Sequence, residues 1–333
     1  MSKPNVRDVA KQAQVSVGTV SNVLNRPATV SEETRQRVRN AIDMLGFVPN
    51  AQMKSSNREP KVIGLILPLS DNPFYTELAQ GIEDAVSKGG LRVLTGFSRE
   101  DEAIELHLLT AMVDAGFKGV IITPVGPRNQ VFEKFIEQNI KVGFFSQTDD
   151  QPEQCSVSID QVHGGYIGLQ YLHSLGHKNV LWISGPAHHH QSNQRFVGIS
   201  MAAQELGVEL QVLSSPSLDF ISGEQIAPEI LTLQRRPDAI FAGNDALGLG
   251  ITNYLLKEGV KVPEDISILG FDNVTYAESA IVPLSTVSQT PYKLGYTMGE
   301  QMVAELNADD SHLHQHVVFQ PQIVERASTT RRI

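Results

Sequence analysis

Six polar stretches hold most of the side chains that could grip a ligand: SDNPFY, SIDQVHGG, GPAHHHQSNQRFVG, AGNDALGLG, GFDN and STVSQTP. Within them Asp160, Arg195, Asn244, Asp272 and Gln289 combine fixed acceptors with one forked guanidinium donor, which is what vicinal hydroxyls require. Phe74, Tyr75 and Phe220 add flat apolar surface for a ring. Together they predict a pocket for a sugar or a nucleoside. Plainer roles compete: Asn244 and Asp245 can cap the helix that follows, Asp272 can close a turn, and Arg195 can make a surface ion pair. The pattern puts Arg195 in the first turn of a helix, where its charge opposes the macrodipole and calls for an anionic or hydroxyl partner. The three consecutive histidines of AHHHQ point in divergent directions, unlike spaced zinc ligands, so His189 or His190 is expected beside the pocket and not on a metal.

These residues need a frame. KVIGLIL, LRVLTGF, GVIITP and KVGFFS are short, β-branched apolar runs separated by helix-length amphipathic segments such as 74–88 and 102–115. The rhythm repeats with NVLWISGP, ELQVLS, DAIFAGND and ISILGFDN. This predicts two α/β lobes in series, each built on buried parallel strands. Ligands of such sheets sit beyond the carboxyl ends of the strands, where the six polar stretches fall.

The first 50 residues have a different texture. Val6, Val9, Ala10 and Ala13 line one helical face and Val20, Val23 and Leu24 another, with Gln14 and Val15 between them as a corner. Ser16 can cap the second helix while Val15 staples against Val20, leaving Ser16, Val17, Thr19 and Asn22 outside. A third helix is expected from the Ser31 cap through Val38, Ala41, Ile42 and Leu45 to a stop at Gly46. Small residues at the crossing and short polar groups at the second helix's start predict a helix-turn-helix that reads DNA. Charge agrees: residues 1–58 carry nine Lys and Arg against four Asp and Glu, a net +5 within a chain of -10. A basic head on an acidic body assigns the polyanion to the head.

The run VRDVAKQAQVSVGTVSNVLNRPATVSEETRQRVRNAIDMLGFVPN resembles the DNA-binding headpiece of the LacI/GalR (lactose repressor) family over its whole length. The resemblance implies that Ser16, Val17, Gly18, Thr19, Ser21 and Asn22 belong to the recognition helix and its entry, and Asn25 to a phosphate-gripping turn. It extends over nearly the full chain and implies a body that shares its fold with periplasmic sugar-binding proteins. Arg195 matches the family's sugar-clamping Arg. Gln191, Asn244, Asp272 and Gln289 match other pocket positions, Phe74 the ring-stacking aromatic, and Asp160 a less constant contact. Where the family has a hinge helix with an Ala-Arg-x-Leu core, this chain has Met53, Lys54 and, at the wedging Leu position, Ser56. A hydroxyl lacks the apolar area that offsets unstacking a base step, so either Met53 takes over the wedge or the operator is less kinked.

The expected organisation is a headpiece over 1–48, a linker over 49–60 and a body over 61–333. Within the body, lobe one spans about 61–159 and 290–317, and lobe two about 160–289 and 318–333. No nucleophile elbow, phosphate loop or dinucleotide fingerprint appears, so no enzyme activity and no cofactor are expected. Cys155 is the single cysteine, leaving no disulfide and no thiolate cluster for a metal. No apolar run reaches the roughly 20 residues of a membrane helix and no signal-peptide core opens the chain, so a cytoplasmic protein without membrane contact is expected. The family resemblance implies a homodimer on a pseudopalindromic operator, because the C-terminal VERASTTRRI lacks the apolar heptads of a tetramer. The expected effector is a small pentose such as ribose, or its nucleoside, with hexoses and purines as alternatives.

Overall fold

The computed structural model describes residues 5–25, 29–45, 47, 62–125, 135, 137–145, 154–187, 189–308 and 312–332. They fall in two compact units, residues 1–59 and 60–333.

In the first unit, helices α1 (Val6–Ala13), α2 (Val17–Asn25) and α3 (Glu32–Leu45) enclose a core of Val9, Ala10, Ala13, Val20, Val23, Val38, Ala41 and Phe47. Val15, Ile42 and Leu45 pack against it. Asn5 opens α1 with a reciprocal capping box: its Oδ1 accepts the Asp8 amide at 3.3 Å, and its own amide donates to Asp8 Oδ2 at 2.8 Å. The expected stop at Gly46 lies outside the described residues.

The second unit contains two six-stranded sheets. The first is ordered β11-β5-β4-β3-β1-β2, with every pairing parallel, from β1 (Val62–Leu67), β2 (Arg92–Phe97), β3 (Gly119–Ile122), β4 (Lys141–Phe145), β5 (Ser156–Ile159) and β11 (His316–Phe319). Helix α4 (Pro73–Lys88) lies against α11 (Pro291–Asn307) over one face, and α5 (Glu102–Asp114) contributes to the core on the other. The second sheet is ordered β12-β10-β9-β8-β6-β7, from β6 (Asn179–Ser184), β7 (Glu209–Ser214), β8 (Ala239–Ala242), β9 (Ser267–Asp272), β10 (Ser285–Ser288) and β12 (Gln322–Val324). Here α6 (Gln161–Ser174) with α7 (His190–Leu206), and α8 (Phe220–Thr232) with α9 (Asp245–Lys257), form two packed pairs. A short α10 (Thr275–Ser279) follows β9.

Alternate residues of one strand feed opposite cores. Leu181 and Ile183 enter the core shared with α8 and α9, while Val180 and Trp182 enter the one shared with α6 and α7. A strand covered on both faces must be apolar at every position, which is why these runs do not alternate with polar residues. Two expected buried strands differ. β2 and β7 each lie at one edge of their sheet, and half-exposed or exposed residues run along both of them, because each has only one neighbouring strand. β12 also departs from the parallel expectation, pairing antiparallel with β10.

The chain passes between the sheets three times: at Asp160, between Ser288 and Pro291, and at Gln320 and Pro321. The last lies slightly beyond the expected position near 318, because Val318 and Phe319 still pair with Ser158 and Ile159. Among the described residues, no helix is long and apolar enough to cross a membrane.

Candidate functional site

The headpiece presents one outward polar face. Ser16, Val17, Gly18, Ser21 and Asn22 are exposed and Thr19 is half-buried, while Val20 and Val23 of the same helix are in the core. Ser16 caps α2 as expected: its Oγ accepts the Thr19 amide at 3.0 Å and lies 2.9 Å from Thr19 Oγ1. Each hydroxyl is thereby oriented by the other, so the pair acts as one polar feature at the helix start. Gly18 keeps the face shallow, since a Cβ there would meet only Ser16 Oγ, at 3.6 Å. Asn25 ends α2. Met53, Lys54 and Ser56, expected to form the hinge, lie outside the described residues.

The body places a cleft between the carboxyl ends of its two sheets, lined as adjoining cavities of about 540, 490 and 550 Å³. From the first lobe come Phe74 and Tyr75 at the start of α4, whose rings meet edge to face at 5.2 Å. From the second come His189, Gln191, Arg195, Asn244 and Asp272, with Gln289 at the crossing. Eight of the ten expected ligand residues therefore converge on one space.

The centre of the cleft is a ring of four polar side chains. Arg195, 4% exposed, donates from Nε to Gln161 Oε1 at 2.7 Å and from Nη1 to the Gly243 carbonyl at 2.5 Å, and its Nη2 lies 3.8 Å from Asp272 Oδ1. Gln161 Nε2 donates to Gln289 Oε1 at 3.1 Å, and Gln289 Nε2 donates to Asp272. The guanidinium stacks 3.7 Å over Phe271. Two of the five guanidinium N–H groups are spent on protein acceptors, which leaves donors for a hydroxyl.

Burial raises the Asp272 carboxyl to about 6, opposed by the Arg195 charge and by hydrogen bonds from Gln289 and Asn72. Burial likewise lowers the Arg195 pKa against the pull of Asp272. Burial, then the Asp272 and Glu100 carboxylates, push the Tyr75 phenol up, so Tyr75 enters the cleft as a neutral donor. Backbone strain collects here too. Arg99 and Glu100 on one wall, and Asp272 and Asn273 on the other, have φ of 55°, 58°, 116° and 61°. Asn273 is pinned in that conformation by Arg326 Nη2 at 2.7 Å and by its own amide on Ser288 Oγ at 3.2 Å.

Several expectations change. Arg195 is the sixth residue of α7, in its second turn and beyond the helix-end field. Asp160 is the cap of α6, accepting the His163 amide at 2.8 Å, and does not line these cavities; its neighbour Gln161 does. Phe220, 41% exposed, starts α8 outside the cleft, and Leu218 supplies apolar surface there instead. Asn244 serves twice, capping α9 through Leu247 N at 2.9 Å while lining the cleft. Asp245 is no cap. Its buried carboxyl accepts Thr286 Oγ1 at 2.6 Å and Val274 N at 2.9 Å, tying β10 and the segment after β9 to α9. His189 caps α7 through Ser192 N at 3.3 Å and lines the cleft; His190 borders it and His188 lies outside the described residues. Glu100 and Thr123 were not anticipated; both follow strand ends, the signal that found the others.

Comparison with known proteins agrees with both units. Residues 5–50 match the model of bacterial regulatory proteins of the lacI family, and residues 169–329 that of the periplasmic binding protein-like domain. The HTH-type transcriptional regulator DegA of Bacillus subtilis (strain 168) is 31% identical over 98% of this chain and 98% of its own. The ribose operon repressor of the same strain is 33% identical over 87% of this chain and 88% of its own. Among solved structures, a LacI family transcriptional regulator from Enterococcus faecalis V583 with bound ribose has a TM-score of 0.74 at 27% identity, covering 82% of this chain and 100% of that one.

Proposed function

The chain belongs to the lacI family of bacterial regulatory proteins and is a DNA-binding transcriptional regulator, not an enzyme; from that premise we propose that it is a repressor released by a pentose, ribose first among candidates. The observation that carries this is the Arg195–Gln161–Gln289–Asp272 ring beside Phe74. Its charge and hydrogen-bonding groups are matched to a neutral polyol: a guanidinium to donate, a carboxylate to accept, and an aromatic ring to cover the sugar's apolar face. A relative named as a ribose operon repressor and a solved relative holding ribose support the same class.

Ser16, Val17, Gly18, Thr19, Ser21, Asn22 and Asn25 meet the operator, with Met53, Lys54 and Ser56 of the 49–60 linker at its minor groove. Asn22 suits adenine, whose N6 and N7 an amide can engage together. Phe74, Tyr75, His189, Gln191, Arg195, Asn244, Asp272, Gln289 and the newly recognised Gln161 meet the sugar. The protein works in the cytoplasm as a homodimer joined through the body, two headpieces spanning a pseudopalindrome.

The test is fluorescence anisotropy of the full-length protein on DNA from upstream of its own gene, at fixed salt, with and without millimolar ribose. Ribose should weaken the complex about tenfold or more, equivalent to about 1.4 kcal/mol of coupling, and Arg195→Ala should remove the response while leaving DNA binding intact. Tight DNA binding indifferent to ribose would retain the regulator and discard the pentose.

A further inference from the structure

Away from the cleft, in the first lobe, four side chains of a different chemistry meet. Cys155 immediately precedes β5, Glu305 lies in the last turn of α11, and His312 and His314 lead into β11. Cys155 Sγ is 3.2 Å from His312 Nε2 and 3.8 Å from His314 Nδ1, and His314 Nδ1 is 3.9 Å from Glu305 Oε1. One donor atom from each residue falls within 4.8 Å of all the others. Leu313 between the histidines is 82% exposed, so alternation along an extended segment turns both imidazoles to the protein side.

We propose that Cys155, Glu305, His312 and His314 form a zinc site. Zinc bonds of about 2.3 Å to sulfur and about 2.0–2.1 Å to nitrogen and oxygen set tetrahedral donor separations of about 3.3–3.6 Å; the donors stand 3.2, 3.8 and 3.9 Å apart in the three pairs above and within 4.8 Å in every pair, so a small inward shift of the side chains would bring them onto an ion. The set is closed, with one thiolate, one carboxylate and two imidazoles, which suits a structural site with no position left for water. A second observation points to a cation. Glu305 is 4% exposed, and its Oε2 has no hydrogen-bond partner among the described residues. A carboxylate oxygen is costly to bury in that condition, and a divalent ion removes the cost. Cys155, 1% exposed, sits behind the histidines as the inner ligand.

The four ligands come from three separate stretches of chain. A bound ion would tie the end of α11 to the entry of β5 and to the strand that leads into the third lobe crossing. The single cysteine, set aside in the sequence as unable to make a metal cluster, becomes a ligand because the fold supplies the other three.

Purified full-length protein, stripped with chelator and dialysed against zinc, should hold one tightly bound zinc per chain and melt at a higher temperature than the stripped form. Replacing zinc with cobalt(II) should give the visible bands of a tetrahedral ion and a near-ultraviolet thiolate-to-cobalt charge-transfer band. Cys155→Ser should abolish that band, and His312→Ala, at a half-buried position where folding is not at stake, should weaken zinc binding at least about tenfold. Absence of stoichiometric zinc, or a cobalt spectrum without the thiolate band, overturns the site. So does zinc binding unchanged in both variants, since it would then belong to other histidines.

Discussion

At the scale of single residues, the cleft depends on one carboxylate whose ionisation is set by where it is. Asp272 is buried beside Arg195, and its carboxyl is raised to about 6. Ionised, it accepts hydroxyl protons and pairs with the guanidinium; protonated, it does neither fully. Ribose affinity should therefore rise as pH increases through about 6 and level off above it. Isothermal titration between pH 5 and 8 checks this, and Asp272→Asn should bind weakly with no such step. Stability carries the opposite sign. A raised carboxyl binds its proton more tightly in the folded state, so its stabilising contribution is present below the unfolded value of 3.8 and is lost as pH rises through about 6. Opposite trends in affinity and melting temperature over one pH window would be difficult to obtain from a residue outside the cleft.

At the scale of elements, Arg195 is positioned by two helices in backbone contact. A Cβ on Gly198 of α7 would fall 1.8 Å from the Val162 carbonyl oxygen of α6, and one on Gly165 of α6 would fall 2.0 Å from the Arg195 carbonyl oxygen. Neither obstacle is a side chain that can swing aside. Gly198→Ala should push α7 outward, cost roughly 1–3 kcal/mol of stability, and weaken ribose binding by lengthening the reach from Arg195 to Gln161. Gly18→Ala is the contrasting case. Its Cβ would make only an ordinary van der Waals contact, 3.6 Å from Ser16 Oγ, on the exposed face of α2, so the melting temperature should stay the same or rise slightly. Thermal melts of both variants, with a ribose titration of the first, separate helix packing from helix propensity.

At the scale of the whole molecule, the two units must be coupled if the sugar is to act on DNA. The coupling is reciprocal: the factor by which ribose weakens operator binding must equal the factor by which operator weakens ribose binding. Measuring both halves of the cycle at one salt concentration tests this, and unequal factors would mean that a further equilibrium, such as dimer dissociation, is involved. Salt separates the units further. The net positive charge lies in the first 58 residues and the rest of the chain is acidic, so operator affinity should fall steeply with ionic strength while affinity for a neutral sugar barely changes.

Much of this was legible in the chain because it is written in local pattern. The helix-turn-helix follows from apolar spacing, a cap at Ser16 and a polar corner, all within 20 residues, and the two lobes follow from the repeated alternation of apolar runs and amphipathic segments. Strand-end polar residues identified the cleft, since parallel sheets leave only that end open for a ligand. What local pattern could not resolve was the direction in which a side chain leaves its element. Asp160 and Gln161 are adjacent, yet a helix turns about 100° per residue, so one caps outward and the other faces Arg195. Phe220 and Leu218 exchanged places for a similar reason, and β2 and β7 read as buried because an edge is a property of the sheet and not of the strand. Cys155, Glu305, His312 and His314 are separated by up to 159 positions and have no common motif. Only the closure of the first sheet by β11, which brings the chain's last quarter back beside β5, makes them neighbours.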